Sequence, residues 1–145
     1  MDLVAEGRLA VDAEAVREAL AARAFLQETL TDFEAAGRLH EASFEMAKTL
    51  YPSDDVALAQ AHSELAGYYR TQDRRPEAEA LLREGIAMME RIQGSRRHPL
   101  TAKMIRQLGG TLRNSDRFEE SEPLYLEAIA LQEDILGPDH YEVAV

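Results

Sequence analysis

The 145 residues include no cysteine, which excludes a disulfide framework, a thiolate metal site and a cysteine nucleophile. Proline and glycine are scarce, at 5 and 8, and they sit mainly at boundaries between periodic segments. Cations are in deficit: 16 Lys and Arg face 27 Asp and Glu, for a net charge of −11. That balance argues against a general nucleic-acid binder, which needs a basic footprint. No apolar run approaches the ~20 residues that a bilayer-spanning helix requires. The opening MDLVAEGRLAVDAE has neither a basic lead nor a continuous apolar core, so no secretory signal is visible and a soluble cytoplasmic protein is expected. Strand-type alternation is missing throughout. What remains is 46% hydrophobic and 30% charged, too apolar for a disordered chain. At this length a single domain buries roughly 68–70% of its unfolded surface.

What is present is a repeat. Laid over 116–137 with a shift of 43, the segment 73–94 matches at Asp73, Arg74, Glu77, Glu79, Leu81, Glu84, Ile86, Ala87, Glu90, Ile92 and Gly94. A period of this size marks a helical repeat. Six helices are expected. The first runs from an N-cap at Asp12 through Ala15, Ala19, Ala22, Leu26, Leu30 and Phe33 to Ala36, with Gly37 as its stop. The second spans Leu39 to Tyr51 and ends at Pro52. The third spans Asp55 to Gln72, the fourth opens at Pro76 and closes at Gly94, and the fifth runs from Pro99 to Asn114. The sixth runs from Phe118 to Leu136, with Asp116 and Glu119 spaced as a capping box and Pro123 inside it. Residues 1–11 read as a lead-in, and 139–145 as the opening of a seventh helix. The expected fold is all-α, three stacked antiparallel helix pairs over 12–145, with units at 12–51, 54–94 and 98–137.

Catalytic chemistry has no visible carrier. His40, His62, His98 and His140 share no i, i+4 spacing, so no helix-borne metal pair is encoded. Gly109-Gly110 lies within a helix and reads as close packing, not as a phosphate loop. Glu119 and Glu120 are adjacent and solvent-facing, unsuited to acid–base work across a cleft. Ser63 and Ser121 have no recognisable base, and Met88-Met89 reads as core filler. The expectation is a non-enzyme with no cofactor and no metal.

Each helix pair carries a recurrent signature. In the middle pair it is Leu65-Ala66-x-x-Tyr69, then Ala78, Leu82 and Gly85; in the last, Leu108-Gly109-x-x-Leu112, then Ser121, Tyr125 and Ala128. The first pair is weaker, with Phe33, Ala42 and Met46. This pattern resembles the tetratricopeptide repeat, in which small residues let paired helices approach. The period of 43, longer than the usual ~34, narrows the resemblance. With Glu122-Pro123-Leu124-Tyr125, Ala128, Glu133 and Leu136-Gly137-Pro138-Asp139-His140, the chain is similar to the kinesin-light-chain type over about residues 26–145. It departs at Tyr141, where that family usually has proline, and at Ser63-Glu64 and Arg106-Gln107, where an Asn pair is common. The resemblance implies a right-handed solenoid that binds protein. As a short chain it also resembles bacterial kinesin light chain, which implies an accessory role on tubulin-like filaments. The alternative is a tetratricopeptide fragment of a larger signalling or regulatory protein.

In stacked helix pairs the first helix of each pair lines the concave face. At about 100° per residue, Met104, Ile105, Leu108 and Leu112 share one side of the fifth helix. Lys103, Arg106, Gln107, Gly110, Arg113 and Asn114 share the other, and Gln60, Ser63, Glu64, Gly67, Arg70 and Thr71 are their counterparts on the third. Residues 100–115 hold cations and no acid, whereas the sixth helix holds Glu119, Glu120, Glu122, Glu127, Glu133 and Asp134. Gln60, Ser63, Arg70, Lys103, Arg106, Gln107, Arg113 and Asn114 are therefore expected to bind an acidic protein or peptide segment, arginine suiting carboxylates. The plainer reading is a solvated helix face. A second basic cluster, Arg96-Arg97-His98, reads either as a contact for a filament or an anionic membrane surface or as a soluble connector. Apolar end faces leave self-association open.

Overall fold

The computed structural model describes the backbone of residues 3–29 and 32–137, and side chains over 13–27 and 32–137. Among these residues all regular structure is α-helical. The chain divides into two compact units, residues 1–53 and 54–145.

The first unit holds α1 (Leu3–Thr29) and α2 (Phe33–Leu50). The boundary between them differs from the expectation. Asp12 lies inside α1, Gly37 lies buried inside α2, and the N-cap is Asp32, whose carboxylate accepts from the Ala35 amide at 3.2 Å. The apolar spacing from Ala15 to Phe33 runs through this junction in phase, with no proline or glycine to mark it. Gly37 serves contact, not termination, and with Ala36 and Ala47 gives α2 a small-residue face. Two polar ties hold the hairpin: Ser43 Oγ donates to the Arg17 carbonyl at 3.2 Å, and Tyr51 Oη donates to Glu14 Oε2 at 2.6 Å. Arg17, and Tyr51 after it, hold the Glu14 carboxyl below the usual range against the opposing effect of burial.

The second unit holds α3 (Val56–Thr71), α4 (Arg75–Gln93), α5 (Pro99–Arg113) and α6 (Phe118–Leu136). Asp55 caps α3 and His98 caps α5, each accepting from the amide two residues on. The repeat is visible in the backbone itself. Asp73 and Asp116, one period apart, both stand at φ 60°, in the turns between paired helices. Asp116 therefore does not form the expected capping box; Arg117 is the N-cap of α6 and makes no side-chain cap. A short aspartate tolerates the left-handed turn that a larger side chain resists. The core is drawn from all four helices, with Leu82, Met89, Met104, Ile105 and Leu112 fully buried, each worth about 1.5–3 kcal/mol.

Small residues set the helix spacing. A Cβ on Gly85 would lie 2.7 Å from Met104 Sδ and 3.3 Å from His62 Cβ, so α3, α4 and α5 meet there. A Cβ on Gly109 would touch the Tyr125 ring at 3.4 Å, and Ser121 Oγ donates to the Gly109 carbonyl at 2.7 Å. The close-packing reading of Gly109-Gly110 is thus observed.

Candidate partner-binding surface

The exposed sides of α3 and α5 run next to each other within the second unit. Their seam is polar: Ser63 Oγ donates to Gln107 Oε1 at 2.8 Å, and Gln107 Nε2 sits 3.8 Å from where a Cβ on Gly67 would stand. Ser63 is 1% exposed, so it joins the two helices instead of facing a partner. Gln60 is half-buried, and its Nε2 donates at 3.2 Å to Glu64, the one acid of α3. Asn114 is the exposed C-cap of α5, its amide donating to the Gly110 carbonyl at 3.1 Å.

The cations form the centre of the surface. Arg106, Gly110 and Arg113 follow at i, i+4 and i+7 along one face of α5. The half-buried Arg70 reaches from α3 across Gly110, its Nη2 lying 2.8 Å from the position of a Cβ there, with Tyr125 Oη at 3.2 Å from the same point. Glycine at 110 is what allows the guanidinium to lie against α5. Arg70 Nε is buried with no hydrogen-bond partner, so the side chain is held by packing and by whatever its outer nitrogens meet. Arg70 is thereby brought to the face of α5 that carries Arg106 and Arg113, with exposed Lys103 one turn away.

The pairing pattern separates this set from every other cation of residues 54–137. Arg74 pairs with Glu77 and stacks on Tyr69 at 3.9 Å, and Arg75 pairs with Asp73. Arg83 and Arg117 converge on Glu79 at 2.8 and 2.7 Å, and Arg117 also takes Glu120. Arg91 bridges Asp54 and Glu84. Burial of Glu79 favours its neutral form, yet Arg83 and Arg117 outweigh it and hold the carboxyl below its ordinary range. Hydrogen bonds from Arg91 and Arg117 likewise depress Asp54 and Glu120. Among the described residues, Arg70, Lys103, Arg106 and Arg113 enter no ion pair, and all four stand on α3 or α5.

The second basic cluster is organised differently. Arg96 reaches Glu90 and Glu127, Arg97 reaches Asp134, and His98 Nδ1 accepts from the Leu100 amide. Burial opposes the charge on Arg96, but Glu127 and Glu90 prevail and raise its pKa. The cluster's charges are matched inside the fold, where it staples α4 to α6 and starts α5. Sequence reasoning missed these long-range pairs and the Arg70–Gly110 contact. The equal register of Arg70 and Arg113, with glycines at 67 and 110, was the signal available for the latter.

Among the described residues no three His, Cys, Asp or Glu group to hold a metal. No described helix is long and apolar enough to cross a membrane.

Comparison with known proteins bears on the fold. The chain shows the fold of BtubC (BKLC) from P. vanneervenii, with a TM-score of 0.78 at 21% identity. The likeness covers 92% of this chain and 52% of that one, so the chain spans about half of that structure's length. Comparison with curated proteins gives no match. The family model for the tetratricopeptide repeat matches residues 58–100 and 101–142, more than half of the sequence. With its small-residue packing and 43-residue period, the chain belongs to the tetratricopeptide repeat family, in the kinesin-light-chain form.

Proposed function

We propose that this chain is a non-catalytic interaction module whose α3/α5 face holds an acidic segment of a protein partner. The observation that carries the reading is the set of unpaired cations: in a chain of net charge −11, four cations on one pair of neighbouring helices enter no ion pair among the described residues. Arg70, Arg106 and Arg113 offer bidentate donors to carboxylates, and Lys103 adds a more mobile charge. Gln60, Gln107 and Asn114 flank them with neutral donors. The partner proposed is an acidic surface of a tubulin-like filament, in keeping with the fold shared with BtubC. A tetratricopeptide segment of a larger regulatory protein is the second reading, supported by the half-length span, and it uses the same face.

Both Arg106 and Arg113 are exposed and unpaired, so reversing them to Glu is expected to leave the melting temperature within about 2 °C, as exposed charges contribute little. Binding of a labelled oligoglutamate peptide, followed by anisotropy, is expected to weaken at least about tenfold, or 1.4 kcal/mol. Equal affinity in the reversed variant would sink the reading. Co-pelleting with assembled tubulin-like filaments, wild type against variant, then separates the filament reading from the broader one.

A further inference from the structure

A neutral donor reaches the cationic face from a third helix. Tyr125 on α6 stands one 43-residue period after Leu82 on α4, which is fully buried. A leucine meets the packing need at this register, so the tyrosine adds length and a hydroxyl. The added length runs along α5: the ring lies against Gly109, and Oη stands 3.2 Å from the position of a Cβ on Gly110. At Gly67, the counterpart of Gly110, Leu82 makes no such approach; the one described neighbour within 4 Å is Gln107 Nε2, at 3.8 Å.

Two donors thus converge over Gly110. Arg70 Nη2 arrives from α3, 2.8 Å from the point that Tyr125 Oη approaches from α6. Neither side chain enters a hydrogen bond or ion pair among the described residues. Arg70 Nε is buried without a partner, which leaves the outer nitrogens to meet a ligand. A guanidinium has donors and no acceptor, and a phenol hydroxyl beside it can donate as well. Side by side and unspent, they complement a pair of oxygens.

We propose that Tyr125 belongs to the acidic-partner site, where its hydroxyl and the Arg70 guanidinium hold the two oxygens of one carboxylate over Gly110. This inference rests on the α3/α5 reading and sharpens it. Arg106 and Arg113 attract an acidic segment wherever its charges fall. The Arg70–Tyr125 pair fixes one carboxylate in one place, because hydrogen bonds are directional and screened charges are not. Gly110 is bare, so both donors can reach that place.

Tyr125→Phe removes the hydroxyl and keeps the ring on Gly109. The hydroxyl has no partner in the described fold, so the melting temperature should stay within about 2 °C of wild type. The oligoglutamate peptide, followed by anisotropy, should bind roughly fivefold or more weakly. No charge is removed, so the slope of log Kd against log salt should match that of wild type, whereas Arg70→Gln should lower both affinity and slope. Adding Tyr125→Phe to Arg70→Gln should weaken binding by less than about twofold more, because the two side chains share one carboxylate. Circular dichroism checks that Arg70→Gln is folded. Unchanged affinity in Tyr125→Phe, or a loss that adds in full to that of Arg70→Gln, overturns the proposal. So does a melting temperature lowered beyond that margin, which would make the hydroxyl a part of the packing. Full binding by Tyr125→Phe with weakened binding by Arg106→Glu/Arg113→Glu removes Tyr125 and leaves the α3/α5 reading standing; full binding by both variants removes the reading itself.

Discussion

Two glycines of the second unit show how much a single missing methyl group decides. Gly85 faces Met104 Sδ and His62 Cβ, and both neighbours are buried; the thioether has nowhere to go and the histidine Cβ is fixed to its helix. Gly85→Ala should therefore destabilise by about 1–3 kcal/mol through overpacking, and lower the melting temperature by roughly 4 °C or more. Gly110 faces the far end of Arg70 and the Tyr125 hydroxyl. A guanidinium can swing outward, and alanine gains about 0.8–1.0 kcal/mol of helix propensity over glycine. Gly110→Ala should thus melt within a few degrees of wild type while displacing Arg70 and weakening the oligoglutamate peptide. Thermal melts and anisotropy on the two variants check both. A large loss of stability at 110 with binding intact would show that Arg70 is structural. Gly109-Gly110 was legible in the sequence as a packing site, but the identity of the side chain laid against Gly110 was not. That contact joins residues 40 positions apart, and helical periodicity carries no information across such a separation.

At the scale of the helix, the elements that announce themselves locally were found where the sequence put them. Pro76, Gly94 and Pro99 bound α4 and α5, because a first-turn proline and a left-handed glycine act within one turn. The α1–α2 junction was not legible: its apolar spacing stays in phase across the break, and Asp32 caps without a proline or glycine beside it. The basic surface was half legible, since charge and face can be read along one helix while pairing between helices cannot. Arg96 and Arg97 looked as basic as Arg106 and Arg113, and only the fold shows acids waiting for the first two. Pro123 offers a test at this scale. It stands exposed inside α6, past the first turn, where its ring removes one hydrogen bond toward the carbonyl of Glu119. The register places Ala80 at the same point of α4. An interior proline costs about 3 kcal/mol, offset by roughly 0.4–1 kcal/mol of lost freedom in the unfolded chain. Pro123→Ala should therefore raise stability by roughly 2–2.6 kcal/mol, read as a higher urea midpoint at unchanged slope. An unchanged or lower midpoint would mean that the bend itself is needed to seat α6 on α5.

For the whole molecule, the net charge and the local patch pull an acidic partner in opposite directions, and ionic strength decides their balance. The charge of −11 repels from a distance, while Arg70, Arg106 and Arg113 attract at contact. At about 0.01 M salt the screening length is near 30 Å, so the remote acids of a molecule this size are felt almost as fully as the adjacent arginines. At about 0.15 M it is near 8 Å: the remote repulsion is largely gone, but the contacts a few ångströms away persist. At about 1 M, with a length near 3 Å, the contacts weaken as well. Affinity for the oligoglutamate peptide should therefore change little between the first two conditions and fall steeply between the last two. A patch on a neutral protein would lose affinity throughout, because nothing is relieved at the lower end. The Arg106→Glu/Arg113→Glu variant keeps only Arg70 and Lys103 as attracting charges and adds to the repulsion, so its residual binding should improve from low to moderate salt. A uniform decline in the wild-type protein, parallel to that of a neutral basic-patch control, would show that the acids lie too far from the α3/α5 face to matter. A rise in the variant combined with a plateau in wild type requires both charges to act on the same bound segment, which is what a basic face on an acidic molecule entails.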